Sequence, residues 1–205
     1  GGGSSIDLTK AVNILMTNPG PIGQYGGIGL VKNQVLPLIA IPTTAGTSSE
    51  ITNVVALTDT KAVCKYVIID NKIVADKVIA DPEFTKTMPP SVTAATGMDA
   101  ITHAVESYIS NMATPLTEYH SLKGLQIFYE YLPRAVKNGA DMEAREQMML
   151  GDTGSNAVGA VIGYSICLIP NTAVEVSMLV ILAVLNVLSE KVSFTKVIEE
   201  VPVLR

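Results

Sequence analysis

Asp99 and His103 stand four residues apart in a stretch of helical periodicity, so their side chains leave one helix face separated by about 40° of turn. A carboxylate and an imidazole at that spacing can reach one borderline divalent ion such as Zn2+ or Fe2+, supplying two of the four ligands of a tetrahedral shell. The same pair serves equally well as a surface ion pair or a satisfied buried hydrogen bond. Glu106, one turn further on, can orient His103 through its second ring nitrogen or simply stay solvated. His120, beside Tyr119 at a helix start, reads as structural, and no Ser/His/Asp or Cys/His arrangement stands out.

Two turns rich in small residues could receive a nucleotide. Gly1-Gly2-Gly3-Ser4 opens a helix, where free N–H groups and the positive end of the helix dipole suit a pyrophosphate. Such glycines also make ordinary turns, and the GxGxxG fingerprint of common dinucleotide folds is absent. The second turn, Pro42-Thr43-Thr44-Ala45-Gly46-Thr47-Ser48-Ser49-Glu50, follows a strand and gathers hydroxyl donors where a phosphate or a nicotinamide ribose can approach the backbone.

Holding these groups requires elements that the local pattern outlines. Ser4 supplies a capping hydroxyl with Asp7 three residues later, ahead of a helix over residues 8–15. Residues 17–33 carry Pro19, Pro21 and several glycines and read as loop. Strands are expected over residues 36–41, 54–58, 65–69 and 78–80. From Ser91 the hydrophobic period moves from two toward 3.6, which places a domain boundary near Pro89-Pro90, with domains over residues 1–90 and 91–205. Helices are expected over 91–110, 115–131 with Thr114 as cap, 142–151, 155–168, 174–188 and 194–201.

Composition narrows the function classes. In 205 residues, 48% are hydrophobic and 16% charged, well below the usual charged share of about 25%, so the chain folds rather than staying disordered. Fourteen Lys plus Arg against nineteen Asp plus Glu give a net charge of −5 with no basic run, which excludes nucleic acid as the expected partner. Cys64 and Cys167 form no CxxC pair and no secretory signal is evident, so the expectation is a cytoplasmic protein. Residues 153–174 carry no charge, but Asn156, Asn171, Pro170 and several hydroxyls interrupt them; a buried core helix is expected rather than a membrane span.

Three segments, Gly1-Gly2-Gly3-Ser4-Ser5-Ile6-Asp7, residues 37–50 and Ala94-Ala95-Thr96-Gly97-Met98-Asp99-Ala100-Ile101-Thr102-His103-Ala104-Val105-Glu106, together closely resemble the iron-containing (group III) alcohol dehydrogenase family. The resemblance implies an α/β nucleotide-binding portion followed by an all-helical domain, a dehydroquinate synthase-like architecture with the active site in the cleft between. It implies an oxidoreductase that moves hydride between a primary or secondary alcohol or aldehyde and NAD(P). Gly2, Gly3 and Ser4 would then hold the cofactor pyrophosphate, Thr43, Thr44, Thr47 and Thr52 would line the nicotinamide half, and Lys65 would sit near the ribose. Asp99 and His103 would be the first two ligands of Fe2+ or Zn2+, which would polarise the alcohol oxygen. The family pattern has a strand-helix-strand portion ahead of the phosphate turn and two more histidine ligands. Here the turn stands at residue 1. Ile162 aligns with the third ligand, Ile166 with a substrate-side histidine and Val174 with the last ligand. The alternative expectation is a noncatalytic remnant acting as an interaction protein. In that alternative, self-association covers an open sheet edge, and a homo-oligomer is expected.

Overall fold

In the computed structural model, which describes residues 1–60, 64–111 and 113–152, the opening glycines run directly into α1, Gly3–Thr17. All the described residues lie in one unit, Gly1–Tyr164. The helix starts earlier than its hydroxyl suggested: Gly2 is the N-cap, and no side chain caps it. The capping role expected of Ser4 and Asp7 fails because Ser4 already lies in the first turn and the Asp7 carboxylate is engaged elsewhere. Its Oδ2 accepts a hydrogen bond from the Ala56 N–H at 3.0 Å. One turn on, the buried Lys10 ammonium donates to the carbonyls of Thr52 at 2.6 Å and Val54 at 3.4 Å. An acid and a base therefore stitch α1 to the strand beside it.

That strand is β3, Val54–Asp59, following β1, Gly27–Ile28, and β2, Ile39–Ala40. It pairs antiparallel with β4, Cys64–Ile69, from Val54 opposite Ile69 to Asp59 opposite Cys64, and β1 adds in parallel on the other edge of β4. β2 pairs in parallel with β5, Lys77–Val78. The strand expected over 36–41 shrinks to two residues because Pro37 has no N–H and the Leu38 N–H goes to the Asp76 carboxylate at 2.7 Å instead of a ladder. The strand expected over 78–80 likewise appears as Lys77–Val78. Within residues 17–33 lie a short 3-10 turn, Ile22–Tyr25, and β1. Alternation along β3 sends Val55 and Leu57 toward a core with Ala11, Ile14, Val31 and Ile68. Each such aliphatic side chain is worth about 1.5–3 kcal/mol when fully buried.

The helical part consists of α2, Pro90–Ile109, α3, Pro115–Lys137, and α4, described over residues 142–152. α2 presents Thr93, Gly97, Ala100, Ala104 and Ser107 to α3, which returns Ser121, Gly124, Phe128, Leu132 and Ala135. Small residues on α2 allow close approach; a side chain on Gly97 would overlap Leu132. Thr114 caps α3 in a reciprocal box with Thr117, as its sequence position led one to expect. α3 continues past the expected end at 131, through Pro133, because Leu132 and Ala135 are needed in the core and Arg134 is clasped by Asp141 at 3.0 and 3.2 Å. The buried Arg145 ties α4 to α2 by donating to Thr93 Oγ1 at 3.0 Å. The helices expected over 155–168, 174–188 and 194–201, and the uncharged run 153–174, lie outside the described residues. Among the described residues no helix is long and apolar enough to cross a membrane.

Candidate active site

The hydroxyl-rich turn is held on two sides. Ala45 is inserted in the helical core with Ala100, Phe128 and Met148. Gly46 adopts φ +140° under the Thr96 carbonyl of α2, where any Cβ would overlap backbone. The Gly46 N–H and the Ser48 hydroxyl both donate to the carboxylate of Asp152, the latter at 2.8 Å. Ser48 itself sits at φ 47°, in the left-handed region. Between these anchors Thr47 is pressed against Gly3: a Cβ there would come within 2.8 Å of Thr47 Oγ1, so only glycine fits at the start of α1.

Thr47 opens onto a cleft of about 590 Å³. Gly3, Ser4 and Asp7 of α1 form one wall, Thr47, Ser49 and Thr52 the next, and Val54, Ala56 and Thr58 of β3 with Lys65 of β4 a third. Asp99, His103 and Glu106 of α2 close it. Their spacing of four and three keeps them on one helix face, turned by about 120° from the small residues that meet α3. Asp99 Oδ1 and His103 Nε2 are 3.9 Å apart. Of the residues expected at a site, Gly3, Ser4, Thr47, Thr52, Lys65, Asp99 and His103 therefore share this cleft. Gly2, Thr43 and Thr44 do not line it. The Thr43 N–H is bonded to the Gly1 carbonyl at 3.0 Å, and Thr44 packs on Gly2, its buried hydroxyl without a hydrogen-bond partner among the described residues. His120 meets the Tyr119 ring edge-on, centroids 5.4 Å apart.

Charge in the cleft is tense. Burial pushes the Asp99 carboxyl up, against the opposing pull of His103 and Lys65. Half of the Asp99 side chain is still accessible, so the push comes from protein crowded around the carboxyl and not from sealing it off. Burial also raises Glu106, and the Asp99 charge adds to it while His103 opposes. A cation relieves both. His103 Nδ1 is buried with no partner among the described residues, so Glu106 does not orient the imidazole by a hydrogen bond. The Asp99–His103 pair fits one edge of a metal shell. No group of three or more His, Cys, Asp or Glu side chains among the described residues completes it. The start of α1 fits an anion better: no acid lies in its first turn, no side chain caps it, and the amides of Gly3 and Ser4 precede the first intrahelical bonds, made by Ser5 and Ile6.

Behind the hydroxyl turn lies a buried pair that sequence inspection overlooked. Burial pushes the Glu50 carboxyl up to about 7, helped by the Asp152 charge and opposed by its own backbone N–H and by Lys10. Burial pushes Lys10 down to about 8 against the pull of Asp7 and Glu50. The folded protein thus keeps the Glu50 proton to about pH 7, while the unfolded chain loses it near the ordinary 4.5. Stability from this source is complete below about pH 4.5 and is lost as pH rises through about 7, a change of about 2–3 kcal/mol. Thermal melts of the protein and its Glu50→Gln variant between pH 4.5 and 7.5 should show a steeper decline in the parent, since the raised Asp99 and Glu106 carboxyls act in both. Parallel curves would rule it out.

Thr58 also belongs to the cleft without having been singled out, and Asp7, read from sequence only as a helix-start acid, and Ser49 of the hydroxyl turn line it too. The period-two run Val54, Ala56, Thr58 could have indicated the β3 wall, since these residues share one strand face. Nothing local marks Asp152, which acts over 104 positions of sequence.

Comparison with known proteins covers most of this ground. A family model for iron-containing alcohol dehydrogenase matches residues 1–82, and one for the C-terminal part of the Fe-containing alcohol dehydrogenase family matches residues 93–164. The NAD-dependent methanol dehydrogenase of Bacillus methanolicus is 45% identical over 148 residues, which are 72% of this chain and 39% of that protein. The sulfoacetaldehyde reductase of Bilophila wadsworthia is 46% identical over 149 residues, 73% of this chain and 38% of that one. Among solved structures, a 1,3-propanediol oxidoreductase superposes with a TM-score of 0.74 at 38% identity, covering 78% of this chain and 42% of its own. A sulfoacetaldehyde reductase from Bifidobacterium kashiwanohense, in complex with NAD+, gives 0.72 at 36% identity, covering 77% and 42%. The chain spans about two fifths of the length of these relatives.

Proposed function

Because the chain belongs to the iron-containing alcohol dehydrogenase family, we propose that it is an oxidoreductase site for hydride transfer between a small alcohol or aldehyde and NAD(P). The observation that carries this reading is the single cleft shared by the open start of α1, the Thr47 wall and the Asp99–His103 pair. The Gly3 and Ser4 amides bind the pyrophosphate, and Thr47 and Thr52 face the nicotinamide half, with Lys65 beside the ribose. Gly2, Thr43 and Thr44 support these contacts from behind. Asp99 and His103 hold an edge of an Fe2+ or Zn2+ site, and a metal there supplies Lewis-acid polarisation of the substrate oxygen. A cation at that end of the cleft would offset the burial that pushes the Asp99 and Glu106 carboxyls up.

On this reading residues 1–90 belong to a nucleotide-binding domain and 91–205 to a helical metal-binding one. The protein works in the cytoplasm as a homo-oligomer, with neither nucleic acid nor membrane as partner. The relatives lend no support to the noncatalytic alternative.

Elemental analysis of the purified chain together with fluorescence titration by NADH tests the proposal. The expected result is bound Fe or Zn, lost to below about a tenth in Asp99→Ala and His103→Ala, with saturable NADH binding. A chain holding neither metal nor NADH overturns it.

A further inference from the structure

The geometry points to Asp152 as a positioning residue: its carboxylate, carried by α4, holds the Gly46–Ser49 turn in the shape that gives the cleft its Thr47 and Ser49 wall. Asp152 is 1% exposed. One carboxylate oxygen accepts from the Gly46 N–H and the other from the Ser48 hydroxyl at 2.8 Å, so the residues on both sides of Thr47 are fixed to a single group. The Ser48 hydroxyl also lies 3.2 Å from the Asp152 carbonyl, at the same point of α4.

The chemistry matches. An ionised carboxylate only accepts, both facing groups donate, and bonds of this kind are charge-assisted. The turn needs such a hold because Ser48 adopts φ 47°, which a residue with a side chain leaves when released. Thr47 and Ser49 line the cleft, and Thr47 packs on Gly3, so relaxing the turn displaces the wall that faces the start of α1. The charge of Asp152 is also felt next to the turn, where it contributes to the raised Glu50 carboxyl, with Lys10 opposing.

Only the ligand arm of the test rests on the nucleotide reading above. Native-state amide exchange over residues 43–52 and NADH titration are measured on the full chain, on Asp152→Ala and on Asp152→Asn. Alanine removes both acceptors, and exchange in the turn is expected to accelerate about tenfold to a hundredfold relative to β3 and β4, with the NADH dissociation constant raised about tenfold. Asparagine offers an acceptor to Gly46 and a donor to the Ser48 oxygen, so both quantities are expected within about threefold of the parent. A residue that merely stabilised the fold would not produce this local loosening or its rescue by asparagine. Turn exchange unchanged in the alanine variant overturns the inference. Faster turn exchange in Asp152→Ala, together with a parent chain that binds no NADH, upholds the inference and overturns the nucleotide reading. Should Asp152→Ala not fold, Ser48→Ala removes one of the two donors; turn exchange about threefold faster supports the clamp, and unchanged exchange overturns it.

Discussion

Gly46→Ala is expected to lower the free energy of unfolding by about 3–5 kcal/mol, enough to drop the melting temperature by about 10 °C in a chain of this size. Two costs coincide. The backbone is at φ +140°, which L-residues with a Cβ rarely adopt. The new methyl would also overlap the carbonyl of Thr96, a backbone atom inside α2 that no rotamer change can move. Relief requires shifting α2, which is packed along its small-residue face against α3. Gly29→Ala separates the two costs: its φ is +68°, but nothing lies within 4 Å of the added methyl, so only the conformational cost of about 1–2 kcal/mol applies. Urea or thermal unfolding of the two variants decides the matter. Equal losses at both positions would mean that α2 does not bear on the turn.

Lys10→Met is expected to cost about 1–3 kcal/mol at pH 7.5, because it takes the donor from two backbone carbonyls and a compensating charge from Asp7 and Glu50. Methionine nearly preserves the volume, so little of the loss can be assigned to packing. What is lost is the ammonium that bonds to the carbonyls of Thr52 and Val54 and counters the charges of Asp7 and Glu50. The loss should shrink at pH 5.5, where Glu50 holds its proton and needs the cation less. Unfolding free energies at both pH values check this. A methionine variant as stable as the parent at pH 7.5 would show that the ammonium does not act as counter-charge there.

What could be read in the sequence, and what could not, divides by distance along the chain. β3 and β4 were visible because alternation over six residues is a local property. The shared face of Asp99 and His103 was visible because helical spacing is local too, and so was the Thr114 cap. The short β2 was overestimated, since its limits are set by the carboxylate of Asp76, 38 positions away. Asp7 and Lys10 resemble any charged pair on a solvated helix; only the arrival of β3 buries them, and a strand 44 to 49 positions later leaves no trace in the helix that receives it. Asp152 lies further still from the turn it grips. Polar groups that join distant segments were thus the part of the cleft hidden from inspection, and they are the ones that fix its walls.

The walls of the cleft differ in how freely they can change. Surface segments rich in threonine and serine are ordinarily where sequence drift and grafting succeed, yet the insertion of Ala45 among the helices denies that latitude to this one. β3 offers the opposite terms. Val54, Ala56 and Thr58 turn into the cavity while the neighbouring Val55 and Leu57 carry the packing behind them. Exchanging the first three reshapes the volume presented to a guest molecule and leaves the scaffold intact, which makes this strand face the place where evolution or an engineer can retune selectivity at least structural cost.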